Sequence, residues 1–101
     1  MVRSYIAEFN RAYGDNIRTA VRRLERRGLE VEIIAHKTSL VIIRPRAMSW
    51  DDFEDAIRAA LDPVRGSVLI TSQVSGRAWV CSNRGNQPGV FQEVGYSRDA
   101  A

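Results

Sequence analysis

Tyr5-Ile6-Ala7-Glu8-Phe9-Asn10 is the stretch from which the fold of this chain is read. Its residues alternate, with Tyr5, Ala7 and Phe9 on one side and Ile6, Glu8 and Asn10 on the other, as the two-residue period of a strand requires. The first side suits a core. The second brings a carboxylate and an amide to the far end of the strand, beside a turn at Arg11-Ala12-Tyr13-Gly14, where ligand contact or chemistry is plausible.

Working outward, Gly14 breaks the strand, Asp15 is placed to cap, and Ile17, Ala20, Val21 and Leu24 recur at i, i+3, i+4 and i+7 in a helix that stops at Gly28. Leu29-Glu30-Val31-Glu32-Ile33 alternates and predicts an edge strand with one wet face. A polar link, His36-Lys37-Thr38-Ser39, leads into Leu40-Val41-Ile42-Ile43. That run is aliphatic at both parities and predicts a central strand covered on both faces. Pro45 ends it. Ser49 with Asp52 resembles a capping box, with Asp in the usual Glu place, and opens a second helix. Its apolar stripe is Trp50, Phe53, Ile57, Ala60 and Leu61. Asp51, Asp52, Glu54 and Asp55 lie toward its N-terminal end, where the macrodipole favours acid, and Pro63 closes it. Ser67 to Val74 reads as a fourth strand, and Ser75-Gly76 turns the chain into Arg77 to Cys81, a hairpin partner. Ser82 to Gly89 is a loop by composition, Val90 to Val94 one more short strand, and residues 96–101 a frayed tail.

The order strand, helix, strand, strand, helix, strand predicts one α+β domain over residues 1–101. The expected arrangement is a ferredoxin-like βαββαβ antiparallel sheet with two helices on one face and an extra short C-terminal strand. Ile6 and one parity of Leu40 to Ile43 then line a face without intrachain cover, and a homodimer is the expected solution. A length of 101 residues fits a single core. The lone Cys81 excludes an internal disulfide, and the lone His36 excludes a clustered zinc site. With no long apolar run, soluble cytoplasmic residence is the default expectation. The formal charge of +3 is concentrated in one helix: between Arg11 and Gly28 stand Arg11, Arg18, Arg22, Arg23, Arg26 and Arg27 against Asp15 and Glu25.

Several short motifs fall together in order and spacing. They are Tyr5 to Asn10 with the following Gly14, His36-x-x-Ser39 before an aliphatic strand, Leu61-Asp62, Val68-Leu69-Ile70, and Gly76-Arg77-Ala78-Trp79. The set resembles the small SinR-like family, which is itself similar to the small subunit of the CRISPR spacer-integration complex and to the VapD ribonuclease toxins. This resemblance spans most of Tyr5 to Trp79. It implies a ferredoxin-like homodimer with sheets packed face to face, late strands able to cross to the partner, and a link to DNA or RNA. It also implies a metal site at the dimer seam, built in those families on an aspartate that ends the first strand. Here the matching residue is Glu8, whose extra methylene shifts the carboxylate oxygens away from where a near-octahedral Mg²⁺ site needs them.

Glu8 is therefore the candidate catalytic and metal-binding residue, with Mg²⁺ the expected ion only if the protein is a nuclease and no cofactor expected otherwise. Its alternative is an ordinary solvated carboxylate at a strand end, since carboxylate-metal sites need several converging acids. Asn10 either caps the following turn or touches a ligand. Arg11, Arg18, Arg22 and Arg26 are the candidate nucleic-acid contacts, against the rival reading that the arginines pair with the acidic second helix. Ile6, Asn10 and Trp79 are the candidate dimer contacts. Trp50 and Trp79 suit core or interface packing before base stacking. His36 is the only histidine available as a general base, but no Cys-His or Ser-His-Asp spacing supports that role. Gly85 to Gly89 lacks the Gly-Lys-Ser/Thr ending of a phosphate loop. The resulting functional expectation is a nucleic-acid-associated homodimer without strong catalysis. An assembly module with no nucleic-acid role and a metal-dependent endoribonuclease are the alternatives.

Overall fold

The structure, a computed structural model, describes residues 3–9, 17–34, 39–61, 66–84 and 87–96. In chain order the elements are β1 (Arg3–Phe9), α1 (Ile17–Arg26), β2 (Glu30–Ile33), β3 (Ser39–Arg44), α2 (Trp50–Ala60), β4 (Ser67–Ser72), β5 (Arg77–Arg84) and β6 (Gln87–Tyr96). Together they form an α+β structure, with an antiparallel sheet in the order β2-β3-β1-β4-β5-β6 and two helices. Asn10, Arg11, Asp15, His36, Asp62, Pro63 and residues 97–101 lie outside the described residues.

Alternation sets the core. Tyr5, Ala7 and Phe9 of β1 are buried and pair across the ladders with Ile42 and Leu40 of β3 and with Ser72, Ile70 and Val68 of β4. On this same face Cys81 sits opposite Val68. The helices supply Ile17, Ala20 and Leu24 from α1, and Phe53, Ala56, Ile57 and Ala60 from α2, to one cluster with these strand residues. Each enclosed Leu, Ile or Phe stabilises the fold by about 1.5–3 kcal/mol through removal of apolar area from water. The other parity, Ile6, Val41, Ile43, Leu69 and Val80, is only half-buried, so the helices cover one face and leave the other open.

Local signals explain the element ends. Gly28, at φ 89°, takes the left-handed position that closes α1, while the Leu29 amide donates back to the Leu24 carbonyl at 3.2 Å and the Leu29 side chain is buried. At α2 the Ser49 hydroxyl accepts from the Asp52 amide at 3.1 Å, as the Ser49-Asp52 spacing predicts. β2 is the outer strand and β3 an inner one, as their patterns require.

Two segments depart from the sequence reading. β4 ends at Ser72 rather than Val74, because the Ser72 hydroxyl accepts from the amides of Val74 (3.3 Å) and Ser75 (3.2 Å) and curls the chain into a turn completed by Gly76 at φ 77°. The span from Ser82 to Gly89, a loop by composition, is mostly strand: β5 runs to Arg84 and β6 begins at Gln87. β6 is outermost, and an outer strand has one edge without a neighbour, so Pro88 is admissible there. Register irregularities at Ala78/Trp79 and Ser82/Arg84 absorb the remaining mismatch. The strand also takes in Tyr96, opposite Arg77, which the composition assigned to the tail. Among the described residues no helix is long and apolar enough to cross a membrane.

Candidate functional site

The β1 start, β3 end, α2 start and β4–β5 turn meet at one end of the molecule, since Arg3 pairs with Arg44 and Tyr5 with Ser72. There they enclose a cleft of about 430 Å³ lined by Arg3, Tyr5, Arg44, Trp50, Ser72, Val74, Ser75, Arg77 and Trp79. Its volume is within the roughly 300–1,000 Å³ of small-ligand sites. Among the described residues no carboxylate lines it.

Aromatic rings form its wall. The Trp50 ring lies 4.8 Å from Trp79, 6.0 Å from Tyr5 and 5.3 Å from Phe53, centroid to centroid. Its Nε1 donates to Glu54 Oε2 at 2.6 Å, which fixes the ring. Phe91 of β6 meets it edge-on at 5.9 Å. Such offset and tilted pairs are favourable beyond the area they bury.

Arg44 is the unusual member. It continues the buried parity of Leu40 and Ile42, so a guanidinium is carried to the inner face, with the residue 8% exposed. Its Nη1 donates to the Tyr5 hydroxyl at 3.2 Å, and its Cζ lies over the rings of Trp50 (5.4 Å to the centroid) and Phe53 (5.9 Å). Nε is buried without a hydrogen-bond partner, and among the described residues no carboxylate pairs with this charge. Ring faces offset part of the cost of burying it, but a buried charge ordinarily has a counter-ion. Arg77, by contrast, is committed: Nε and Nη2 donate to Glu93 at 2.8 and 2.7 Å, and the guanidinium lies 5.4 Å over Trp79. That hydrogen bond holds the Glu93 carboxyl below its usual range.

The residues singled out from the sequence are dispersed. Glu8 is exposed on the open face, between Ser39 and Leu69 in register, and among the described residues no three acids, histidines or cysteines gather as a metal group. Ile6 is half-buried on the same face, as alternation predicts. Trp79, expected beside Ile6 at a dimer seam, stands on the opposite, helix-covered face, because it pairs with Ile70 and so shares the parity of Ala7. Arg18, Arg22 and Arg26 are exposed along α1, and Asn10 and Arg11 fall outside the described residues. The cleft residues Arg3, Arg44 and Arg77 are absent from the sequence-based candidates. An arginine in phase with two core aliphatics was the available signal for Arg44.

α2 carries the acids expected to pair with α1, but they are engaged elsewhere. Glu54 and Asp55 bind Arg58 at 2.9 and 2.8 Å, and Asp51 and Asp52 are exposed in the first turn. Among the described residues no ion pair joins the two helices. Arg23 alone reaches across, donating to the Leu61 carbonyl at 3.5 Å, where the negative end of the α2 dipole lies. Comparison of the chain with protein-family models, curated proteins and solved structures finds no match.

Proposed function

We propose that the chain is a nucleic-acid-associated homodimeric module without strong catalytic activity, built on a ferredoxin-like unit of β1 to β4 and the two helices and extended by β5 and β6. One observation carries this reading: the exposed Arg18, Arg22 and Arg26 of α1 stand at i, i+4 and i+8 with no carboxylate partner among the described residues. Pairing with α2 was the competing use for them. Surface ion pairs contribute only about 0–1 kcal/mol, so stability has little need of such a row, whereas guanidinium groups match phosphate geometry. The open face bears exposed Glu8, Glu30 and Glu32 beside its apolar centre, a charge that repels phosphate and suits protein contact. α1 lies across the sheet from that face, so the two roles are compatible. Metal-dependent cleavage has weaker support, since among the described residues no three acids, histidines or cysteines gather with Glu8 as a metal group.

The test is binding to single- and double-stranded DNA and to RNA across a salt series. For duplex DNA, log K is expected to fall with log salt by about 0.9 per phosphate neutralised, and Arg22→Ala with Arg26→Ala to flatten that slope by up to about 2. An unchanged slope and affinity in the double variant would remove the proposal's support.

A further inference from the structure

The aromatic and cationic cleft has no part in the reading above, and its chemistry points to a ligand of its own. Among the described residues, the side-chain polar groups free to engage an occupant all have a hydrogen to donate. Ser72 Oγ already accepts from the Val74 and Ser75 amides, and Ser75 Oγ from the Arg77 amide at 3.2 Å, so both hydroxyl hydrogens remain to be given. Arg3 is exposed at the mouth and Arg44 is enclosed at the wall, while Arg77 is held by Glu93 and serves to support Trp79. Ring carbons of Tyr5, Trp50 and Trp79 form the rest, with Val74, 61% exposed, at the rim. A neutral or cationic occupant would leave the Arg44 charge uncompensated and the hydroxyl donors unused. An anion joined to a flat ring satisfies both halves.

We propose that this cleft binds a nucleoside 5′-phosphate group, its phosphate held by Arg44, Arg3 and the Ser72 and Ser75 hydroxyls and its base against the tryptophan wall. A phosphate monoester carries up to two negative charges and three acceptor oxygens, matching two guanidinium groups and two hydroxyl donors better than a lone carboxylate does. Bases present a flat face that aromatic side chains accept with little regard to sequence. The same chemistry is offered by a free mononucleotide and by the 5′ end of a strand.

Both tryptophans of the chain line the cleft, so intrinsic indole fluorescence reads its occupancy directly. Titration with AMP, UMP, adenosine and inorganic phosphate, and with a short oligonucleotide carrying either a 5′-phosphate or a 5′-hydroxyl, is the experiment. Saturable change is expected with the 5′-phosphorylated species and not with adenosine. AMP matching the phosphorylated oligonucleotide assigns a free nucleotide, and a tighter oligonucleotide assigns a strand end. Arg44→Met keeps the stem over Trp50 and removes the charge. It should weaken binding by about tenfold or more while leaving the urea midpoint of the ligand-free protein unchanged or higher. Arg3→Ala, an exposed change with no demand on folding, should weaken it severalfold, and Arg22→Ala with Arg26→Ala should leave AMP binding untouched. Adenosine binding as well as AMP, no saturable response to any phosphorylated species at millimolar concentration, or parent-like affinity in both Arg44→Met and Arg3→Ala would each overturn the assignment.

Discussion

Cys81 shows how a single enclosed side chain couples this fold to solution conditions. It is fully buried, and burial pushes its thiol from an ordinary 9.0 up to about 11, with Arg58 lowering it and Glu54 raising it to smaller extents. The unfolded thiol ionises near its ordinary value and the folded one later. Its contribution is therefore complete below pH 9 and is lost as pH rises toward 11, by about 3 kcal/mol in all. Urea titrations of the parent and of Cys81→Ala should converge in stability across that window. A constant gap would mean that the thiol ionises alike in both states. At this scale the sequence is a partial guide: Tyr5, Ala7 and Phe9 announce their side by alternation, and so do Leu40 and Ile42. Arg44 follows the same parity, but a charge at the end of an aliphatic run reads as the strand's exit to water. The rings of Trp50 and Phe53 and the Tyr5 hydroxyl, brought from different elements, make an inner position tolerable for it.

Among the elements, α2 depends most on one side chain. Arg58 pairs with Glu54 and Asp55 on its own helix, donates from Nε to the Gly89 carbonyl of β6, and lies 5.6 Å over Phe91. It thereby fastens the helix layer to the outermost strand. Arg58→Ala removes a charge-assisted bond to backbone and a ring contact and leaves Glu54 less well balanced, so a loss of about 1.5–3 kcal/mol is expected in urea unfolding. Hydrogen exchange should rise first in β6. A loss under about 0.5 kcal/mol with unaltered β6 exchange would show that the strand is held by its ladder alone. Both helices and the first four strands were legible because each buries a stripe or an alternating face. β5 and β6 were legible only in part, as Arg77 to Cys81 and Val90 to Val94, since Ser82, Asn83 and Gln87 carry little hydrophobic signal and the strand character of that stretch comes from the pairing of β5 with β6. No local pattern records that pairing.

At the scale of the whole molecule, the proposed homodimer rests on the uncovered face. Ile6, Val41, Ile43, Leu69 and Val80 are half-buried there, while the helices occupy the other side. A second copy placed on this face would remove them from water, and a dimer mass is expected by light scattering at micromolar concentration. Ile6→Glu should return a monomer, because an unpaired charge enclosed in an apolar seam costs several kcal/mol. A parent monomer, or a variant that stays dimeric, would place the assembly elsewhere. The open face could be anticipated from the two aliphatic parities of Leu40 to Ile43, whereas the cleft at the molecule's end could not: its walls come from β1, β3, α2 and the β4–β5 turn, and their meeting is a property of sheet order.

That order also has a temporal consequence. β1, which is synthesised before either of its partners, is an inner strand that pairs with residues 39–44 on one side and residues 68–72 on the other. Until β4 has been made, the new chain holds an apolar strand with at least one bare edge, and the loops that bring its neighbours to it must close before any ladder bond rewards the closure. Chaperone demand during synthesis should therefore fall on nascent β1, and a chain truncated before residue 68 lacks the means to hide it.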